Sequence, residues 1–432
     1  MQQDSEGPTK LEALLEIIQK DVKALKAGDH AARTRLVDRS AQLQRAVESP
    51  AERTFKMRFA AGFSRGFYFD SNFSFSPRIF VFLQQFAIRI LIENGAFATL
   101  CAKGDPKITA EELSQATGGD KLLIERLMRL LAAVGVIDEV AENTYKPNAI
   151  THFMNQPGFI GAEKHHFELH TSVGVRMVEY MRTGAGVEQF NDEPGKQAPW
   201  EYSHNGKSFW KILEEDPECK QDFDLYMAAR RQGDLVPEWF QLYPVGQELV
   251  PTTSNLRSLK TGKDDVLLVD VAGGRGHDVG NFRAHFPQLP GRCILQDLPE
   301  TIAQVRKTPP QGVELMEYDF FTPQPVKGSR IYFFRNIAHD WSDLRCSEIF
   351  SHTIAAMDKD YSRILFEDFV LPSTGATYRS ASMDVHMLFS LAGIERTESH
   401  WRQLLRGLGL EIVRIWSDGI AEHEAVIEAR KV

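Results

Sequence analysis

His339 is the residue around which the chemistry of this chain can be assembled. It lies in Arg335-Asn336-Ile337-Ala338-His339-Asp340-Trp341-Ser342-Asp343, directly after the apolar run Ile331-Tyr332-Phe333-Phe334, which reads as a buried strand. Imidazole is the side chain whose ordinary pKa lies closest to neutrality, so a histidine at the carboxyl edge of a strand can take a proton from a bound ligand. Two acids reach comparable edges. Asp368 ends the next strand in Leu365-Phe366-Glu367-Asp368-Phe369-Val370-Leu371-Pro372, and Glu395 sits in Gly393-Ile394-Glu395-Arg396-Thr397-Glu398. A carboxylate beside an imidazole fixes its tautomer and stabilises the imidazolium, so His339 with Asp368 and Glu395 reads as a general-base site. The plainer alternative is a structural histidine, with Asp340 or Asp343 capping the helix that follows and Glu398 starting another.

A second set of residues is suited to holding a ligand. Val266-Leu267-Leu268-Val269-Asp270-Val271 is a strand buried on both faces, and it breaks into Ala272-Gly273-Gly274-Arg275-Gly276. Glycines there permit a tight turn and a close approach to the main chain. The next strand, Cys293-Ile294-Leu295-Gln296, ends in Asp297 roughly 20 residues downstream, where an acid suits the two hydroxyls of a ribose. The third ends in Glu317-Tyr318-Asp319-Phe320. Asp319 can accept from an adenine amino group while Phe320 covers the ring. The turn lacks the full G-x-G-x-x-G spacing of a dinucleotide site, so an adenosyl ligand without a pyrophosphate fits better than nicotinamide.

These residues need a sheet to bring them together. From 265 onward strands near 266–271, 292–296, 313–317, 330–334 and 362–368 alternate with helices, and two late strands fall near 410–416 and 424–429. That order predicts a doubly wound, mainly parallel sheet with a late hairpin. Upstream, Leu11, Leu14, Leu15, Ile18 and Val22, then Leu36, Leu43 and Val47, mark two amphipathic helices over 8–48 whose apolar stripes must pack on the rest of the chain or on a second copy. Residues 54–100 carry twelve spaced aromatics from Phe55 to Phe97, read as core and interface packing or as the lining of an apolar cavity. Residues 108–145 read as helix, Gly118-Gly119 turn, helix and β-hairpin, a helix-turn-helix with a wing. Its second helix sets Lys121, Arg126 and Arg129 beside Asp120 and Glu125, so it has no net basic face for DNA.

Composition narrows the function classes. A chain of 432 residues has room for two or three cores, and its net charge of −9 argues against nucleic-acid and anionic-membrane partners. Cys101, Cys219, Cys293 and Cys346 form no CxxC pair, which predicts reduced thiols and no metal site. The first 30 residues lack an apolar signal segment and no run approaches 18 apolar residues, so the expected location is cytoplasmic.

Leu268-Val269-Asp270-Val271-Ala272-Gly273-Gly274-Arg275-Gly276, Asp297-Leu298-Pro299, Asp319-Phe320, His339-Asp340-Trp341-Ser342-Asp343 and Gly393-Ile394-Glu395-Arg396-Thr397-Glu398 occur in one order and spacing. With them the chain, over about residues 75–430, resembles the class I S-adenosylmethionine-dependent O-methyltransferases of the caffeate-type family, in particular their fungal secondary-metabolite branch. The resemblance implies an α/β fold: a Rossmann-like methyltransferase domain (261–432) behind a mainly helical N-terminal winged-helix dimerisation domain (51–160). A helical extension (1–50) and a helical connector roofing the substrate pocket (161–260) complete the chain. It implies that Gly273, Gly274 and Asp297 hold the methionyl and ribose parts of S-adenosyl-L-methionine, Asp319 and Phe320 the adenine, and that Arg335 lies near the cofactor. His339 becomes the base that deprotonates a substrate hydroxyl, flanked by Asp368 and Glu395. The expected partners are a small hydroxylated aromatic or polyketide-type metabolite and a second copy of the chain. Some fungal relatives instead use the cofactor pocket for pericyclisation or dehydration, which is the alternative reading. Three departures stand out. Ala272 replaces the first glycine of the turn and is tolerated there if its φ is negative. Asp368 stands where the family usually has Glu, one methylene shorter. The N-terminal extension is typical only of the fungal branch.

Overall fold

The structure is a computed structural model that describes residues 7–27, 29, 31–50, 53, 77–102, 104–184, 197–230, 237–249, 262, 264–420 and 423–432. The aromatic positions from Phe55 to Phe75 lie outside the described residues. The chain packs as two units, Met1–Leu169 with Pro217–Arg231, and His170–Asp216 with Gln232–Val432.

In the first unit the stripes at 8–48 become the helices Gly7–Lys26 and Ala31–Val47, which pack on each other. Arg35 Nε bonds the buried Asp21 at 3.0 Å between them. Helix Ala110–Thr117 starts in a reciprocal Thr109/Glu112 cap and stops at Gly118 in the left-handed conformation. Asp120 caps Lys121–Ala133, whose Ile124, Met128 and Leu131 repeat at helical spacing and are buried. Strands β1 (Ile108–Thr109), β2 (Ile137–Ala141) and β3 (Thr144–Pro147) form an antiparallel sheet in the order β1-β3-β2. The helices Pro157–His165 and Pro217–Arg230 pack very closely. A Cβ on Gly158 would lie 2.2 Å from Ala229 Cβ, and one on Gly161 2.5 Å from the carbonyl of Asp222.

The second unit is built on seven strands: β4 (Val266–Val271), β5 (Arg292–Asp297), β6 (Glu314–Glu317), β7 (Ile331–Arg335), β8 (Arg363–Asp368), β11 (Leu410–Trp416) and β12 (Ala425–Lys431). Two short strands, β9 (Val370–Leu371) and β10 (Arg396–Thr397), pair separately. The spatial order is β11-β12-β8-β7-β4-β5-β6. Pairing from β8 through β6 is parallel, and β12 runs antiparallel to both β8 and β11, which is the late hairpin expected from the sequence. The chain leaves β4 toward β5 and β6, then returns to lay β7 and β8 on the other side. Sheets of this kind collect ligands at such a reversal, outside the carboxyl ends of the strands. One face buries Val269, Val271, Phe334, Phe366 and Trp401, and the other Leu268, Phe282, Phe333, Leu365 and Trp239. Burial on both faces explains why β7 reads as an apolar run up to Arg335 and why Asp270 is the only polar residue of β4.

Candidate active site

The turn after β4 bends through three left-handed residues, Ala272 (φ 56), Gly274 (φ 60) and Gly276 (φ 75). Gly273 is required by its neighbours: a Cβ there would sit 2.4 Å from Asp270 Oδ2 and 2.6 Å from Leu295 Cδ1. Gly274 differs, because a Cβ on it would have no atom within 4 Å, so the turn presents bare backbone to open space. Its N–H donates to Asp297 Oδ2 at 2.8 Å, and the N–H of Leu298 donates to Asp297 Oδ1 at 2.8 Å. Two backbone donors therefore aim the Asp297 carboxylate at the sheet edge.

Ala272 has a positive φ, so the condition under which it would replace the glycine without strain is not met. The tight turn into Gly273, whose N–H reaches the carbonyl of Gln296 at 3.2 Å, puts the preceding residue in the left-handed well whatever its side chain. That conformation costs an alanine about 1–2 kcal/mol. Ala272→Gly removes the strain and returns some entropy to the unfolded chain, for a net gain of about 0.5–1 kcal/mol. A thermal melt should show Tm higher by about 1–4 °C for a unit of this size. An unchanged or lower Tm would refute the strain.

The end of β6 is tied to Asp297 by Tyr318 N–H donating to the Asp297 carbonyl at 2.9 Å. Asp319 is exposed, its Oδ1 accepting from Phe321 N–H at 3.0 Å, and Phe320 is half-buried with its ring 5.0 Å from Phe321 and 6.1 Å from Trp341. Behind them Gln296 and Gln324, both buried, exchange reciprocal amide bonds of 2.8 Å. An open backbone turn, an anchored carboxylate and a partly exposed aromatic ring along one sheet edge fit an adenosyl ligand.

Arg335, at the end of β7, is half-buried among three buried carboxylates: Asp278 at 2.5 Å, Glu424 at 3.0 Å and Glu367 at 3.2 Å. Burial disfavours its charge, but the three acids outweigh it and hold the guanidinium protonated. Burial also drives the Glu367 carboxyl well above the ordinary range, against the pull of Arg335.

His339 lies in a one-turn 3-10 helix, Ala338–Asp340, and is buried. Its Nδ1 is 2.8 Å from Glu395 Oε1, and Asp340 Oδ1 is 3.5 Å from Nε2. A carboxylate only accepts, so Nδ1 carries the hydrogen and Nε2 is left as the basic atom. Asp368 Oδ1 is 3.6 Å from Nδ1, too far for a hydrogen bond. The shorter side chain thus contributes charge, and burial raises its own pKa well above the ordinary value while the imidazole opposes the rise. For His339 burial lowers the pKa, but Glu395, Asp368 and Asp340 together overcome it and push the group up to about 10. The ligand atoms of His339, Asp368 and Glu395 lie within 4.8 Å of one another, so the same trio has the dimensions of a cation site.

The structure brings His339, Asp368 and Glu395 together, and separately Gly273, Gly274 and Asp297. Other residues of the site had no sequence signal of their own. The helix cap at 343 is Ser342, whose hydroxyl accepts from Arg345 N–H, and Glu398 does begin a helix, behind the Thr397 cap. Asp384 accepts the N–H of Glu395 at 3.0 Å, and Arg396 is buried beneath the His339 turn.

A family model described as an O-methyltransferase domain matches residues 248–411. The chain is 34% identical over 333 residues to the methyltransferase cfoC of Aspergillus candidus, covering 76% of this chain and 79% of the relative. It is 31% identical over 334 residues to the demethylsterigmatocystin 6-O-methyltransferase of Aspergillus parasiticus, covering 77% and 81%. Among solved structures it resembles LepI in complex with SAM, at a TM-score of 0.74 and 25% identity over 98% of this chain and 99% of that one. A chain described as a pericyclic reaction enzyme matches at the same TM-score and identity, over 98% and 100%.

Proposed function

The chain belongs to the S-adenosylmethionine-dependent O-methyltransferases, in the company of the fungal natural-product enzymes, and from that membership we propose that it methylates a hydroxyl of an aromatic or polyketide-type metabolite with His339 as general base. The observation that carries the reading is the Nδ1 hydrogen bond to Glu395, which leaves Nε2 to accept the hydroxyl proton. Gly273, Gly274 and Asp297 would hold the methionyl and ribose parts of the cofactor, with Asp319 and Phe320 at the adenine. Bound there, S-adenosylmethionine supplies a methyl group already activated by its sulfonium. The protein's part is alignment, which can contribute about 7–11 kcal/mol, and proton removal, typically about 10²–10⁴-fold.

The elevated basicity of His339 supports a phenolic or enolic acceptor. A phenol or enol gives up its proton to a neutral imidazole of raised basicity far more readily than an aliphatic alcohol does. An aliphatic alcohol would have to give up its proton far uphill.

Single-turnover incubation with methyl-labelled cofactor and a panel of phenolic and polyketide hydroxyls tests the proposal. Label should pass to a hydroxyl, and EDTA dialysis should leave the rate unchanged because Nδ1 is occupied by its proton. A rate restored only by added metal would make the trio a ligand set instead. The second reading, a pericyclase or dehydratase that binds the cofactor without spending its methyl, is favoured by the likeness to the pericyclic enzyme. Tight cofactor binding with no label transfer to any acceptor would select it.

The same proposal includes a homodimer. Leu15, Val22 and Val47 on the first two helices stay exposed, as do Phe82, Leu83, Phe86 and Ile90 on the helix Pro77–Glu93. Apolar surface of that extent is the usual mark of an interface. Light scattering at micromolar concentration should return twice the chain mass, and a single-chain mass would overturn the dimer.

A further inference from the structure

Arg396 follows Glu395 directly and is 1% exposed. Its Nη1 donates to the carbonyl of Ala338 at 2.6 Å and its Nη2 to the carbonyl of Trp341 at 2.8 Å, while Nε donates to Asp343 Oδ1 at 2.9 Å. The guanidinium lies over the ring of the buried Trp401, with Cζ 5.7 Å from its centroid. One planar, always-charged group thus bridges the carbonyls on either side of His339 and Asp340 and is anchored from behind. A 3-10 turn has poor internal hydrogen bonding, so its shape depends on outside contacts of this kind. The carbonyl of His339 itself accepts from Ile394 N–H at 2.9 Å. Gly393 allows that approach, since a Cβ there would fall 2.1 Å from the same carbonyl oxygen.

We propose that Arg396 is a positioning residue for the proton transfer: by tying Ala338 and Trp341 together it holds the His339 imidazole with Nδ1 on Glu395 and Nε2 toward the acceptor hydroxyl. The inference rests on His339 acting as the base. Lysine at 396 keeps the charge but can reach only one of the two carbonyls, and glutamine keeps the bulk without the charge or the fork.

The test compares Arg396→Lys and Arg396→Gln in the full chain with wild type. The readouts are kcat, both KM values, the pH profile, calorimetric cofactor affinity, and the proton resonance of the His339 Nδ1–H in histidine-labelled protein. Displacement of the imidazole should lower kcat by up to about 10²-fold in the glutamine variant, because misplacement by an ångström costs that much, and less in the lysine variant. Cofactor affinity should stay at the wild-type value. The ascending limb of the pH profile should move to lower pH and the Nδ1–H resonance upfield as the bond to Glu395 weakens. Folded variants with wild-type kcat, pH profile and resonance would overturn the proposal, as would a loss of rate equal to the loss of folded protein with the other readouts unmoved. Should the glutamine variant not fold, the lysine variant carries the same comparison. If His339→Ala keeps the wild-type rate the base reading fails by itself, and the Nδ1–H resonance still reports whether Arg396 holds the ring.

Discussion

His339→Ala should lower kcat by about 10²–10⁴-fold, the range a positioned general base contributes, and leave the affinity for S-adenosylmethionine unchanged. The wild-type profile of kcat/KM against pH should carry the same information. The base must be neutral to accept a proton, and in the free enzyme its pKa is pushed up to about 10 by Glu395, Asp368 and Asp340 in spite of burial. Activity should therefore climb through neutral pH and level off only in the alkaline range, whereas His339→Ala should stay far below wild type at neutral pH and recover only as the acceptor phenol itself ionises. Glu395→Gln removes the partner at 2.8 Å, so the limb should shift toward acid while the maximal rate falls. A wild-type limb centred near the ordinary imidazole value, or a His339→Ala rate equal to wild type at neutral pH, would remove His339 from the role of base.

Arg335→Met should destabilise the sheet unit by about 3–5 kcal/mol, because removing one partner leaves buried charge uncompensated. It would abandon Asp278, Glu367 and Glu424 together, all of them buried. The pH dependence has a definite sign. Burial already holds the Glu367 carboxyl well above its unfolded value, and loss of Arg335 takes it higher. A raised carboxyl favours the fold in its protonated form, so its contribution is complete below the unfolded pKa and disappears as pH rises through the folded one. The urea-unfolding gap between wild type and Arg335→Met should accordingly be narrower at acidic than at neutral pH. An equal gap at both would refute the account. Adding Glu367→Gln should recover part of the lost stability. If Arg335 also touches the cofactor, that double variant will regain stability without regaining cofactor affinity.

The contrast between Glu367 and Asp368 shows how far sequence reasoning reaches. Neighbours on a strand face opposite sides, so Asp368 meets His339 while Glu367 meets Arg335 on the other face. The first pairing was legible, because Asp368 ends one strand and His339 follows the end of its neighbour, at one edge of a sheet whose alternation could be counted. The second was not, since Asp278 and Glu424 join it from a helix start and a loop far apart in the chain. The strands of β4, β5, β7 and β8 could be read because burial on both faces leaves continuous apolar runs bounded by glycine or acid. Glu395 was recognisable from its surroundings, yet Arg396 beside it had no role, because nothing in the sequence shows that it folds back onto the carbonyls of Ala338 and Trp341. Ala272 was left conditional for a different reason: a residue name does not state φ, and the strain there arises from the path of the turn on either side.

The close pairing of Pro157–His165 with Pro217–Arg230 bears on how such chains can be recombined. The polypeptide passes between the two units at 169/170, 216/217 and 231/232, so neither unit is one contiguous stretch. A chimera joined to a relative at 169/170 would separate Gly158 and Gly161 from the helix shaped to receive them. If the donor helix carries a larger residue opposite either glycine, the two halves will not close. Chimeras should therefore fold better when 157–165 and 217–230 come from one parent, and a junction at 169/170 that divides them should give less folded protein.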